Sequence, residues 1–323
     1  MKKSLHLATL ILIIYTTCIN AQTHTIINSN KELKAFKHLD VAITAGTTGL
    51  GIDLATPLNK HMRLRGGFTF VPKFEYDMDF NITVGETAEN KYDPDGNRIE
   101  TKFEKLAGLL KEFTGTEINE EFNMIGEPSF SNVKLLLDVF PFKNKQWHFT
   151  TGFYFGPSEI GNAYNTTEDM PTLFAAGMYN KMYEKAANDE PVMVWNDYAI
   201  YMPKLLDYGR MGANIGKRDD GTLYKLEPDE DSMVKAKMKA NSFRPYIGFG
   251  YGNSMMNNDN KYNVSFDCGL LFWGGVPDVI THDGTNLTKG FKEVYGKVGR
   301  YVDIVEKFEI FPVVNLRIAY RIF

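Results

Sequence analysis

The sequence predicts an all-β fold, an antiparallel up-and-down transmembrane β-barrel of about eight strands, with about ten as the fallback count. Three observations support this prediction. The segments that read as strands alternate apolar residues with polar or small ones, they are joined in turn by short turns and by long polar segments, and an export signal precedes a chain without a long apolar helix. Alternation with a period of two indicates strands whose two faces meet different surroundings.

The start of the chain, residues 1–21, reads as a secretory signal peptide. Two lysines supply positive charge, Leu7–Tyr15 supplies a short apolar core, and residues 19–21 offer a cleavage site. The apolar core is too short for a transmembrane helix, which needs about 20 residues. We therefore expect an exported protein with a periplasmic lead-in at residues 22–39 and a barrel domain at residues 40–323.

Composition fits an exported membrane protein. The net charge of -4 argues against a nucleic-acid partner. Aromatic residues make up 13% of the chain, an excess that suits aromatic girdles at two membrane interfaces, and Trp147, Trp273, Tyr154 and Tyr320 are the predicted girdle residues. The mature chain keeps only Cys268, so it forms no intramolecular disulfide, and a closed barrel in lipid supplies stability instead. Composition alone leaves a soluble β-sandwich open.

Seven segments read as strands, and bacterial barrels have an even number of them. Three pairs are joined by short turns, and the last segment stands alone. We expect one more strand, from Met233–Ala240, from Val192–Tyr201 or from the segment before residue 40. The seven segments are Val41–Thr56, Met62–Val84, Phe130–Phe142, Trp147–Gly156, Phe243–Ser254, Tyr262–Gly274 and Phe311–Phe323.

Each predicted strand has an apolar face and an opposite face of charged, polar or small residues. The apolar face is assigned to lipid and the other face to the lumen. In the strand from Phe243, the lumen face carries Gly248, Gly250 and Gly252, which leave room for bulky or charged neighbours. The charged residues predicted to face the lumen are Asp53, Arg63, Arg65, Lys134, Asp138, Asp267, Arg317 and Arg321.

The last strand, Phe311–Phe323, has the clearest alternation. A strand of this kind that ends on an aromatic residue is typical of barrels inserted by the barrel-assembly machinery, so Tyr320, Ile322 and Phe323 form the candidate assembly signal. Phe323 departs from the usual pattern, because it is in phase with Arg321 on the charged face rather than with Tyr320 and Ile322 on the lipid face.

Long polar segments separate the strand pairs, at about residues 85–127, 162–231 and 277–307. The first two contain predicted helices near Lys102–Phe113 and Thr172–Ala187. Short turns on one rim and long loops on the other are typical of outer-membrane barrels, whose short turns lie in the periplasm.

Five strand segments occur in order: GTTGLGIDLATPLNKHMRLRGGF, KLLLDVFPFKNKQWHFTTGFYFG, FRPYIGFGYGN, VSFDCGLLFWGGVPDV and FPVVNLRIAYRIF. Together they resemble a family of exported proteins, common in Bacteroidetes-type bacteria, that are described only as outer-membrane β-barrel proteins. The resemblance covers most of residues 41–323 apart from the long loops. It implies the barrel fold and a location in the cell outer membrane of a Gram-negative bacterium, and it lends no catalytic residue.

The interior of an eight-stranded barrel is only wide enough to be filled by side chains, so charges there must pair. We therefore expect a structural or interaction protein whose lumen is plugged by its charge network. One alternative is a narrow channel for ions or small solutes, lined by the same charges. A second alternative is a soluble exported β-barrel that binds a ligand.

No motif in the sequence indicates catalysis or metal binding. The histidines form no motif with a serine; His61 lies on a predicted short turn and His148 next to one, so neither is at the extracellular rim. The segment Tyr92–Asn97 resembles a calcium loop only loosely, because Lys102 stands where the loop needs Glu. We predict no enzyme activity, no cofactor and no metal, and a monomer whose partners are outer-membrane lipid and the assembly machinery.

Overall fold

A computed structural model describes residues 38–86, 89–143, 145–252 and 261–322. The predicted signal peptide, nearly all of the lead-in and Phe323 lie outside the described residues. The strands in chain order are β1 Asp40–Gly46, β2 Gly49–Asn59, β3 Met62–Phe70, β4 Tyr76–Asn81, β5 Thr83–Val84, β6 Glu121–Pro128, β7 Ser131–Val139, β8 Trp147–Phe155, β9 Glu159–Asn165, β10 Met193–Trp195, β11 Tyr198–Ile200, β12 Met211–Arg218, β13 Leu223–Leu226, β14 Lys235–Lys239, β15 Phe243–Gly252, β16 Tyr262–Phe272, β17 Asp278–Thr281, β18 Phe291–Val294 and β19 Ile310–Arg321. The helices are α1 Lys102–Thr114, α2 Met170–Ala187 and α3 Gly296–Glu306, with a short 3₁₀ helix at Pro203–Asp207.

Eight strands close into an antiparallel up-and-down barrel in the order β1, β2, β3, β7, β8, β15, β16 and β19. The first and last of them pair with each other, from Asp40 opposite Arg321 to Gly46 opposite Asn315. Closure leaves no unpaired strand edge, which is what a strand structure needs in lipid. The predicted fold class is confirmed.

The eighth barrel strand lies within the segment Val41–Thr56, which was predicted as one strand and is two. The segment Val41–Thr56 is a hairpin of β1 and β2, in which Gly49, with a φ of +87°, follows a two-residue turn. The outward apolar residues change phase across this turn, from odd positions such as Ile43 in β1 to even positions such as Leu50 in β2, so the sequence marks the turn by a break in its alternation. All three predicted sources of the eighth strand were wrong. Met233–Ala240 contains β14 and Val192–Tyr201 contains β10 and β11, which lie outside the barrel, and the barrel closes without a strand before Asp40.

Residues 71–130, 156–242 and 273–309, which connect barrel strands at one rim, fold together into a second body that we call the cap. Its larger sheet has the order β17, β14, β9, β6, β4, and its smaller sheet has the order β13, β12, β18, with β5 also pairing with β12. The second half of the predicted strand Met62–Val84 therefore belongs to the cap. Its hydrophobic core includes Ile82, Phe103, Leu106, Phe122, Met124, Leu173, Tyr179, Met211, Ile215 and Val302.

Both predicted cap helices are confirmed, as α1 and α2. The first begins with a capping box, in which the Thr101 side chain accepts from the backbone of Glu104 and the Glu104 side chain accepts from the backbone of Thr101. It buries Phe103, Leu106 and Leu110 on one face. Among the described residues, no helix is long and apolar enough to cross a membrane.

Candidate functional site

The lumen holds a buried cluster of charges centred on Asp138. Arg63 and Arg65 each place a guanidinium nitrogen 2.7 Å from its carboxylate, and the Thr150 hydroxyl donates to it at 2.8 Å. The strand register brings these side chains together, because Arg63 lies opposite Asp138 in the β3–β7 pair and Thr150 lies opposite Asp138 in the β7–β8 pair. A carboxylate with two guanidiniums and a hydroxyl around it is compensated despite its burial.

A second carboxylate, Asp267 on β16, joins the cluster from the other side of the barrel. Arg65 donates to it at 2.9 Å, so one guanidinium bridges Asp138 and Asp267. His148 places Nε2 2.7 Å from Asp267. A Cβ added at Gly250 would lie 2.3 Å from His148 Nε2 and 2.7 Å from Asp267 Oδ1, so the predicted use of this glycine as space for its neighbours is seen at this position.

A third carboxylate, Asp53, pairs with Lys134 at 2.8 Å. Arg317 lies further from it, with Nε 3.7 Å from Oδ2. Arg321 lies apart from the central cluster, with Nε 3.9 Å from Asp40 Oδ1. The pair is at the end of the barrel that carries the β2–β3, β7–β8 and β15–β16 connections, which we call the short-turn rim. The structure therefore brings seven of the eight predicted lumen charges into the buried interior and leaves Arg321 in a pair at its end.

His148, Arg244 and Asp40 are also buried in the barrel, although the predicted set of lumen charges did not include them. Arg244 is fully buried, donates to the Pro157 carbonyl at 2.6 Å and lies 5.0 Å above the ring of Phe130. The signal was present in the sequence, since His148 and Arg244 are in phase with inward glycines of their strands.

Between the charge cluster and the cap, the lumen is filled by apolar side chains. Tyr154, Tyr246, Leu271 and Val313 are all at most 3% exposed, and the two tyrosine rings lie 5.6 Å apart. Trp273 is also buried, and its indole donates to the Phe308 carbonyl at 2.7 Å. Tyr154 and Trp273 were therefore wrongly predicted as girdle residues, because their side chains point into the barrel and its junction with the cap.

The outer face of the barrel is apolar on every strand. None of the outward-facing positions in the eight barrel strands carries a charged residue. One such residue from each strand shows the pattern, with exposed fractions between 39% and 66%: Ile43, Ile52, Phe68, Val133, Phe149, Ile247, Phe266 and Leu316.

Aromatic residues mark both ends of this outer face. Near the short-turn rim, the rings of Trp147 and Tyr251 lie 4.9 Å apart and those of Tyr262 and Tyr320 lie 5.1 Å apart. Near the cap, a second group is Phe68, Phe70, Phe153, Phe155 and Phe243. The outward positions predicted for Trp147 and Tyr320 are confirmed.

The structure describes two of the three residues of the predicted assembly signal. Tyr320 and Ile322 are 43% and 53% exposed on the outer face, whereas Phe323 lies outside the described residues. Their role in assembly stays a prediction.

Within the part of the chain that the structure describes, no three His, Cys, Asp or Glu side chains are placed to hold a metal ion. In the segment that resembles a calcium loop, Asp93 accepts from the backbone N–H groups of Asp95 and Asn97 at 2.9 and 2.8 Å. Its carboxylate closes a turn.

The cap contains a half-buried lysine, Lys225, whose amine is surrounded by backbone carbonyls. Lys225 donates to the carbonyls of Arg210 at 2.9 Å and Thr83 at 3.2 Å, and also to that of Gly85. Burial lowers the pKa of this amine to about 8. Its carbonyl contacts link β5 and the segment after it to the start of β12.

The stability of the cap should therefore rise with pH. Between about pH 8 and 10.5 the unfolded chain binds more protons at Lys225 than the folded cap does, so we expect a gain of roughly 1–2 kcal/mol after allowing for partial exposure. Above about pH 10 the gain should fade, because burial raises the pKa of Tyr224 to about 12 and the unfolded state then loses its tyrosine proton first. The measurement is the urea concentration at which the cap becomes sensitive to pulse proteolysis.

Lys225→Met should abolish this rise, whereas Lys292→Met on the exposed side of β18 should keep it. A rise of equal size in wild type and Lys225→Met would contradict the assignment.

Comparison with known proteins shows distant likeness only. No family model and no curated protein matches the chain. Solved structures that resemble it include Acinetobacter baumannii CarO2, at 13% identity and a TM-score of 0.37 over 89% of this chain and 99% of that one. CarO of the same organism matches at 12% identity and a TM-score of 0.37 over 90% and 99%. A major outer membrane protein from Thermus thermophilus matches at 14% identity and a TM-score of 0.26 over 88% and 98%. At such scores these likenesses add nothing to the topology described above.

Proposed function

We propose that this protein is a monomeric outer-membrane β-barrel of a Gram-negative bacterium, exported through a cleaved signal peptide, that holds the cap at the cell surface as a structural or interaction module. The observation that carries the proposal is the outer face, which has no charged residue at any outward position of the eight barrel strands. The proposal assigns no catalytic role.

The extent of the apolar outer face favours lipid over water as its surroundings. Soluble monomers rarely expose contiguous apolar patches larger than a few hundred Å². Here the apolar positions run around a closed barrel and are bordered at both ends by aromatic groups, the arrangement expected of a belt between two membrane interfaces. This supports membrane insertion over the soluble ligand-binding alternative.

The topology supports an orientation with the cap outside the cell. In barrels of this class the short turns face the periplasm and the long connections face the exterior. Both described ends of the barrel, at Asp40 and Arg321, lie on the short-turn rim, opposite the three cap segments. The resemblance to the Bacteroidetes-type barrel family agrees with this location and stays a prediction.

The packed lumen supports an anchoring role over a channel. Asp53, Asp138 and Arg317 are 0% exposed in the charged layer, and Leu271 and Val313 are 0% exposed in the apolar layer. An ion path through the barrel would have to displace both layers. A narrow channel is the alternative that a conductance measurement tests.

The test combines three measurements on the full-length protein. We expect it in the outer-membrane fraction, with different gel mobility before and after boiling, and we expect protease added to intact cells to remove the cap. Purified protein in planar bilayers should give no stepwise conductance. A soluble fraction without a heat-dependent mobility shift would overturn the membrane assignment, and stepwise conductance would replace the closed lumen with the channel.

A further inference from the structure

The cap contains an apolar cavity of about 120 Å³. Its walls come from three elements: the larger cap sheet, the smaller cap sheet and α3. All three are parts of the chain far apart in sequence, so the cavity exists only when the cap is assembled. It lies outside the barrel and takes no part in the lumen network.

Three alanines on the cavity wall leave space that no side chain fills. Ala163 on β9 and Ala236 on β14 are paired neighbours in the larger sheet, and Ala213 on β12 faces the same cavity from the smaller sheet. Larger residues border the same space, including Phe122 and Ile215. Small side chains at three converging positions leave a gap that the surrounding core does not fill.

The cavity offers no polar group to a ligand or to water. Only two lining residues carry a hydroxyl, Thr281 and Tyr301. The hydroxyl of Thr281 lies 2.7 Å from an Asp283 carboxylate oxygen, and that of Tyr301 donates to Tyr76 at 3.2 Å. Because an ordered water needs about two to four polar partners, it would find none on these walls.

We propose that the cap binds a small uncharged apolar molecule, about the size of a benzene ring or a short hydrocarbon chain, in this cavity. Apolar cavities of about 150 Å³ in other proteins stay dry and take up benzene or xenon. The present volume and lining match that chemistry, whereas an ionised or strongly hydrated ligand would find no partner for its polar groups.

A ligand would enter the cavity at the edge where α3 meets β4. There α3 is held by two exposed polar contacts, Lys297 with Asp79 at 2.9 Å and the hydroxyl pair of Tyr301 and Tyr76. Exposed pairs of this kind contribute little to stability, so this wall separates more easily than the paired strands opposite it. Val302 on the same helix lines the cavity from inside.

The experiment uses the full-length protein in lipid nanodiscs, with ¹³C-labelled alanine and methionine methyl groups, titrated with benzene. We expect saturable shifts confined to the cavity methyls, those of Ala163, Ala213, Ala236, Met78 and Met124, and an anomalous peak in the cavity of xenon-pressurised crystals. Absence of both signals would overturn the proposal.

Cavity-filling variants make the test specific. Ala213→Leu should weaken benzene binding at least tenfold, and Ala236→Val gives a milder filling if the first variant folds poorly. Ala199→Leu, at an exposed position of β11, is the matched control and should bind as wild type does. Equal binding by a folded filling variant and the control would place the ligand elsewhere and overturn the assignment. Neither result depends on where the barrel is located in the cell.

Discussion

Asp138→Ala should lower the free energy of unfolding of the barrel by about 3–5 kcal/mol, because it leaves two buried guanidiniums without their shared carboxylate. Arg63 and Arg65 both contact Asp138 at 2.7 Å, and the side chains of all three are at most 3% exposed. Arg65 keeps Asp267 as a partner, but Arg63 has no other ion pair among the described residues. The loss should therefore fall mainly on Arg63.

The effect is measured by urea unfolding of the detergent-solubilised barrel, with gel mobility before and after boiling as the readout of closure. Asp303→Ala, at an exposed position of α3, is the matched control and should unfold within about 0.5 kcal/mol of wild type. Asp138→Asn keeps the shape and loses the charge, so it separates charge compensation from side-chain packing. An Asp138→Ala protein as stable as the control would mean that water reaches the guanidiniums and that the lumen is open.

Which side chains of a barrel strand point into the lumen could be predicted from sequence, because this depends only on the local alternation of residues. Asp53, Lys134 and Arg317 were placed in the lumen on their phase within single strands, and the structure has them there. Their partners could not be predicted in the same way. The bridge that Arg65 makes between Asp138 and Asp267 spans the barrel, so it depends on closure and on the stagger of strands far apart in sequence.

The cap shows the same division between local and non-local information. The helix α1 could be predicted, because its apolar spacing and the Thr101–Glu104 pair at its start are local signals. The packing of the three cap segments into one body could not, since the core that contains Leu106, Leu173 and Val302, one residue from each connection, forms only when all three connections have folded. Each of these segments reads alone as a polar loop with an isolated apolar stretch.

An apolar layer joins the closed lumen to the cap. The apolar layer that contains Leu271 and Val313 lies between the charge cluster and the cap, and Trp273 and Phe311 extend it to the junction, with their rings 5.1 Å apart. The barrel therefore meets the cap through a buried apolar layer. A layer of this kind suits a protein that displays a folded surface domain better than one that passes solutes beneath it.

Leu316→Arg should impair insertion and cost about 2–4 kcal/mol, because it places a charge on the outer face at the level expected for the membrane midplane. Leu316 lies midway along β19, opposite Ala45 and Phe266, and is 47% exposed. The cost in a membrane depends on depth and is largest at the midplane. The measurement is the fraction of protein that reaches the heat-modifiable form when refolded into lipid vesicles.

Leu109→Arg is the matched control for this variant, since Leu109 is 48% exposed on α1 of the cap. The two leucines have nearly the same exposed fraction, but Leu316 lies on the barrel and Leu109 lies on the cap. If the outer face of the barrel meets lipid, only Leu316→Arg loses assembly, because arginine at an exposed cap position stays hydrated. Equal tolerance of both substitutions would mean that the outer face of the barrel meets water rather than lipid, and it would overturn the membrane assignment.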